Sequence, residues 1–147
     1  MAIPHQTGSC ASGDVSIFYR RLGRKLGSES NISPVGKIDS DPDILSILFV
    51  HGLSYFSYDW LDVAAALASG RECVAMDVRG FGDSGWSAAK DYSVRTMARD
   101  LANLLDHLGW RRAVLVAHSM GGRSAAYLAA KEPPRVVHSR SPLASRS

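Results

Sequence analysis

Hydrophobic and polar positions along this chain fall into blocks whose period switches between that of a strand and that of a helix. Residues 15–22, "VSIFYRRL", mix β-branched and aromatic side chains over strand length after the turn signal Ser12-Gly13-Asp14, and predict an early strand. Residues 44–50 ("ILSILFV") and 72–78 ("ECVAMDV") are near-continuous apolar runs, the pattern of parallel strands covered on both faces. Residues 113–118, "AVLVAH", make a third such run. Helical spacing separates the runs. In residues 58–69, Trp60, Val63, Ala64 and Leu67 share a face, with Gly70 at the C-cap position. The clearest helix is "SVRTMARDLANLLDHLG", where Val94, Met97, Ala98, Leu101, Leu104, Leu105 and Leu108 form one stripe between the N-cap Ser93 and the stop Gly109. "GGRSAAYLAAKE" reads as a further helix, ended by Pro133 and Pro134.

Strict alternation of strand and helix predicts the α/β class: a mostly parallel sheet with alternating helices and right-handed crossovers. The rest of the chain carries less pattern. Residues 1–14 read as an N-terminal tail and 15–137 as one domain. Residues 23–43, rich in Gly, Ser, Pro and Asp, read as a long loop or insertion within it, and residues 138–147 as a disordered Ser/Arg-rich tail.

Composition narrows the class little further. At 147 residues, 46% hydrophobic and 21% charged, the chain is long enough for one ordinary globular domain. The formal charge of +3 comes from Arg135, Arg140 and Arg146, which follow Pro134 without an acid or an interleaved aromatic, so no nucleic-acid partner is expected. No apolar run reaches membrane-spanning length, and "MAIPHQTGSCASGD" has no signal-peptide pattern, so the expectation is a cytoplasmic protein without a membrane partner. Cys10 and Cys73 show no zinc spacing and read as free thiols, with Cys73 buried rather than catalytic.

The chemistry concentrates in "VLVAHSMGG", residues 114–122. A strand that passes into a helix through one residue forces that residue, Ser119, into a tight backbone conformation with small neighbours two positions away on each side. Those neighbours are Ala117 and Gly121, so the nucleophile pattern G-x-S-x-G is met with Ala in place of the first Gly. Such an elbow lifts the serine Oγ clear of the sheet, and the helix N-terminus behind it aims N–H groups at the same space. The Met120 N–H is then one candidate donor to an oxyanion. "HGLS", residues 51–54, follows the first long strand, where His51 and Gly52 shape the loop and the Leu53 N–H is the second candidate donor.

"ILFVHGLSYFSYDW", "DVRGFGDS" and "LVAHSMGG", in this order, resemble the N-terminal part of the α/β-hydrolase fold family, of the serine-nucleophile, esterase-like kind. The resemblance implies a three-layer α/β sandwich, Ser119 as nucleophile, Leu53 and Met120 as the oxyanion N–H groups, and no cofactor or metal. It also implies that Asp77, Arg79, Gly80, Gly82, Asp83 and Ser84 shape the loop after the second parallel strand. Serine at the elbow argues against the related dehalogenases and epoxide hydrolases, which use aspartate there.

Each residue has a plainer alternative. Ser119 in isolation reads as a helix N-cap. His118 points to the opposite face from its neighbour and reads as a packed histidine, His51 as a loop-bonding one, and His107 as a surface residue. Asp77 and Arg79 read as loop-fixing groups before a catalytic pair. Tyr55, Phe56 and Tyr58 either line a substrate pocket or cover the core. A serine hydrolase also needs a base and an orienting acid, in the chain order Ser, Asp or Glu, His. Only Glu132 and His138 follow Ser119, and Glu132 lies about 20 Å down the helix at about 1.5 Å per residue. "RVVHS" resembles the start of the family's next strand and puts His138 at the wrong sheet edge. The expectation is therefore a domain truncated after the elbow helix. Hydrolysis of an ester or similar acyl bond is then residual or lost, the alternative being a non-catalytic domain. Its partner would be a small ester-like molecule, and its open sheet edge would favour self-association.

Overall fold

The computed structural model describes residues 2–23 and 45–137. Strands β1 (Gln6–Ser12) and β2 (Val15–Leu22) form a hairpin, followed by β3 (Ile47–Val50), α1 (Leu61–Leu67), β4 (Cys73–Met76), α2 (Val94–Leu108), β5 (Val114–Ala117) and α3 (Met120–Lys131). The five strands make one sheet in the order β1-β2-β4-β3-β5. β4, β3 and β5 run parallel to one another, while β2 joins β4, and β1 joins β2, antiparallel. The sheet is thus mixed, with the expected parallel strands at its heart. Most of the expected loop 23–43 and all of the expected tail 138–147 lie outside the described residues.

The apolar runs are covered on both faces. In β3, Leu48 and Val50 pack with Val74 and Met76 of β4 beneath α2 and α3, whereas Ile47 and Phe49 pack with Cys73 and Ala75 around Leu61 and Ala64 of α1. Full burial of a side chain such as Phe49 or Leu48 contributes about 1.5–3 kcal/mol. The α2 stripe behaves as its spacing requires, with Met97, Ala98, Leu101, Leu104 and Leu105 buried. Ser93 Oγ accepts from the Thr96 N–H at 3.2 Å, and Gly109 stops the helix at φ +72°.

Two expectations change. Residues 6–12 are not a tail but the edge strand β1, paired with β2 from Gln6↔Arg21 to Ser12↔Val15. Its small residues hide the strand signal: Gly8 lies where any Cβ would strike the Tyr19 ring, so Tyr19 crosses the hairpin over it. The first predicted helix begins as a 3-10 turn, Ser57–Trp60, and then buries Leu61 and Ala64, leaving Val63 and Leu67 exposed. In line with the strand-like reading of "RVV", Val136 makes an isolated parallel bridge with Ala113 on the side of β5 away from β3.

Because β3, β4 and β5 are parallel, the loops that leave them emerge at one edge of the sheet. β3 and β5 are adjacent, yet the chain leaves β3 toward α1 on one face and leaves β5 into α3 on the other. Such a divergence opens a crevice, the place where open α/β sheets bind ligands.

Candidate active site

Ser119 stands at that crevice. Its backbone lies at φ 51°, ψ −112°, a conformation that costs a non-glycine residue about 1–3 kcal/mol. Its side chain makes no capping hydrogen bond to α3, although Ser119 occupies the N-cap position. The plain explanation of a serine at a helix start therefore fails here, and the hydroxyl is exposed. Close packing keeps the elbow in place. A Cβ on Gly121 would sit 2.5 Å from the His51 carbonyl oxygen and 2.7 Å from that of Val50, so only glycine lets α3 close on β3. On the other side, a Cβ on Gly52 would lie 3.2 Å from Ser119 Cβ. The His51–Leu53 loop and the elbow are thus in direct contact.

His51 locks the loop. It is buried, its Nδ1–H donates to the Gly52 carbonyl at 2.8 Å, and its Nε2 accepts from the Val78 N–H at 2.9 Å. Burial pushes its pKa below 6.5, opposed by the Gly52 hydrogen bond and the nearby Asp77 and Asp59 charges, so the ring is a neutral structural tie between β3 and β4. The chain then turns back, with Ser54 at φ 65° and the Tyr55 N–H donating to the Gly52 carbonyl. Among the described residues, neither the Leu53 nor the Met120 N–H donates to a protein acceptor. Both lie at the crevice, beside Gly52 and Ser119.

The loop after β4 is fixed by the other predicted residues. Asp77 is fully buried and accepts the Ser57 N–H at 2.6 Å and the Asp83 N–H at 2.9 Å, while its carbonyl accepts from Ser84 Oγ. Gly82, at φ +53°, leaves no room for a Cβ beside the Asp77 carboxylate. Gly80, at φ +82°, sits under the Tyr92 ring. Arg79 does not pair with Asp77. It is buried against Asp100 of α2, donating at 2.7 and 2.9 Å, and also reaches Asp14 and the Asp91 carbonyl. The Asp100 hydrogen bonds come first among the causes that raise its pKa. Asp100 was not singled out from the sequence, though a carboxylate inside the apolar stripe of α2 is itself a signal of a buried partner.

Other groups do not join the site. His118 is exposed rather than packed, its ring edge-on to Tyr55 at 5.9 Å, and among the described residues no imidazole hydrogen-bonds Ser119 Oγ. Glu132 follows the far end of α3, and His138 lies outside the described residues. His107 is exposed and meets the Tyr19 hydroxyl at 3.2 Å. Cys73 is buried with its thiol pushed up to about 11, and Cys10 is also raised by burial, which leaves neither as a nucleophile. Among the described residues, no three His, Cys, Asp or Glu side chains gather as a metal site. Leu53, Tyr55, Phe56, Tyr58 and Trp86 are exposed on the segments that follow β3 and β4, with Leu53 63% and Trp86 79% accessible.

A family model described as alpha/beta hydrolase fold matches residues 46–138. The chain belongs to this family. Within it, the chain is 40% identical over 98 residues to sn-1-specific diacylglycerol lipase ABHD11 of Mus musculus, covering 65% of this chain and 31% of that protein. It is 36% identical over 83 residues to the soluble epoxide hydrolase of Corynebacterium sp. (strain C12), covering 56% of this chain and 29% of that one. The crystal structure of a membrane phospholipase A superposes with a TM-score of 0.72 at 30% identity, over 90% of this chain and 37% of that chain. This hydrolase-fold chain therefore spans about a third of the length of the relatives it matches. Family membership alone leaves the reaction open, since lipases and epoxide hydrolases both appear among the relatives.

Proposed function

We propose that the chain carries the nucleophilic part of a serine hydrolase that acts on an ester or similar acyl bond, with Ser119 as the attacking residue. The observation that carries this reading is the strained, exposed Ser119, which spends its hydroxyl on no helix cap. Attack of Oγ on an acyl carbon creates a tetrahedral oxyanion. The Leu53 and Met120 N–H groups are its donors, and losing one such donor typically costs about 2.7–4 kcal/mol of transition-state stabilisation. The exposed Leu53 and Tyr55 side chains beside them suit an apolar acyl portion. Likeness to a diacylglycerol lipase and a phospholipase supports an acyl substrate, and serine rather than aspartate at the elbow favours that chemistry over epoxide opening.

Full turnover requires a base within about 2.6–3.2 Å of Oγ. Among the described residues no imidazole or carboxylate bonds Ser119 Oγ, which favours a second reading, a hydrolase-fold domain that binds an acyl ligand without turning it over. An activated aryl ester separates the two. Release of one phenol per chain, abolished in Ser119→Ala, is expected for the nucleophile. Release no faster than in Ser119→Ala, from folded protein, leaves the binding reading. Among the described residues no helix is long and apolar enough to cross a membrane. The two free, buried thiols fit our assignment of the chain to the cytoplasm.

A further inference from the structure

Arg20 of β2 has no part in the chemistry above, yet its guanidinium is engaged on every edge. Nε donates to Ser57 Oγ at 3.0 Å, Nη1 donates to His5 Nε2 at 3.0 Å, and Nη2 lies 3.9 Å from Asp83 Oδ2. His5 Nδ1 lies 2.8 Å from the Ile3 carbonyl, which assigns the ring proton to Nδ1 and leaves Nε2 to accept. The cation also lies 5.1 Å from the Phe18 ring centroid and 5.6 Å from that of Tyr58, within cation–π range of both. Its side chain is only 14% exposed. A planar fork meeting this many partners fixes their relative positions in a way a lysine cannot.

The segment it grips is the one that leaves the His51–Gly52 loop. Within residues 53–58, the Tyr55 N–H to Gly52 and Phe56 N–H to Asp59 bonds tie only near neighbours. Among the described residues, the side-chain hydrogen bonds that tie this segment to other elements converge on Ser57, whose N–H donates to Asp77 and whose Oγ accepts from Arg20. Asp77 thus holds the backbone, and Arg20 holds the Ser57 hydroxyl and the Tyr58 ring. We infer that Arg20 is a positioning residue for the Ser119 site: by locking Ser57 and Tyr58 it sets the conformation of residues 53–58. The directions of the Leu53 N–H and the Tyr55 ring at the crevice follow from that conformation. The link to catalysis rests on Ser119 being the nucleophile, whereas the grip on the loop does not.

Hydrogen exchange and amide NMR on the whole chain test this with Arg20→Met and Arg20→Lys. In Arg20→Met, exchange of residues 53–58 rises about tenfold or more while β3 and β4 amides change less than about twofold, and the Leu53 and Tyr55 amide resonances move. Arg20→Lys recovers part of both effects. Unchanged exchange at 53–58, or an equal rise through β3 and β4, overturns the inference, as do resonance shifts confined to residues 18–20 and 57–58. If Arg20→Met does not fold, Ser57→Ala removes the same hydrogen bond and is judged by the same criteria. Ser119→Ala leaves the exchange of 53–58 as in wild type, so failure of the nucleophile reading and failure of the positioning role give different results.

Discussion

Two adjacent glycines at the start of α3 separate what the elbow needs from what any helix would prefer. A methyl group on Gly121 would strike the backbone carbonyls of His51 and Val50, which cannot swing aside, whereas one on Gly122 would meet nothing within 4 Å. Gly121→Ala is therefore expected to destabilise the fold by about 1–3 kcal/mol through overpacking. Gly122→Ala should stabilise it by about 0.5–1 kcal/mol, the ordinary gain of alanine over glycine inside a helix. Urea melts of the two variants give opposite signs; equal effects contradict the close contact between α3 and β3. His51 yields a pH test. Its folded pKa lies below 6.5, so below that pH the unfolded chain takes up a proton that the folded chain refuses. Stability should fall as pH drops through 6.5, and His51→Gln should flatten that slope while lowering stability throughout. A slope as steep in the variant as in wild type contradicts a neutral buried His51.

At the scale of elements, α2 was legible because its signals agree: an N-cap, a seven-residue apolar stripe and a terminal glycine. What the stripe concealed is Asp100, which faces the sheet with the leucines and pairs with Arg79 from the loop after β4. Side-chain exposures of 1% and 2% make this a buried ion pair. Removing one partner strands the other, so Asp100→Leu should cost about 3–5 kcal/mol, and the double variant Arg79→Met/Asp100→Leu clearly less than the two single costs together. Additive costs in denaturant melts contradict the pairing. Strand β1 was illegible for the opposite reason. Its residues are small and polar, and only the partner strand, with Tyr19 laid over Gly8, reveals why they extend. α1 shows a similar override: its spacing put Trp60, Val63, Ala64 and Leu67 on one face, whereas packing against Phe49 and Ala75 buries Leu61 and Ala64.

For the whole molecule, the order β4-β3-β5 brings two loops distant in sequence into contact, and this is the source of the site. Ser119 and the His51–Leu53 loop were legible from local glycine and strand patterns, since each is specified within a few residues. Their contact across the crevice, with Gly52 against Ser119 Cβ, follows from topology. The Arg20 clasp was not legible, because its partners come from three separate segments with no shared motif. The central claim is that this arrangement makes Ser119 a nucleophile. The most direct measurement is intact mass and peptide mapping of the folded chain after exposure to a fluorophosphonate, a probe that needs an activated or well-presented serine and an oxyanion site. One phosphonyl adduct per chain, mapped to Ser119 and absent in Ser119→Ala, is the expected result. No adduct on folded protein, or an adduct that persists in Ser119→Ala, contradicts it.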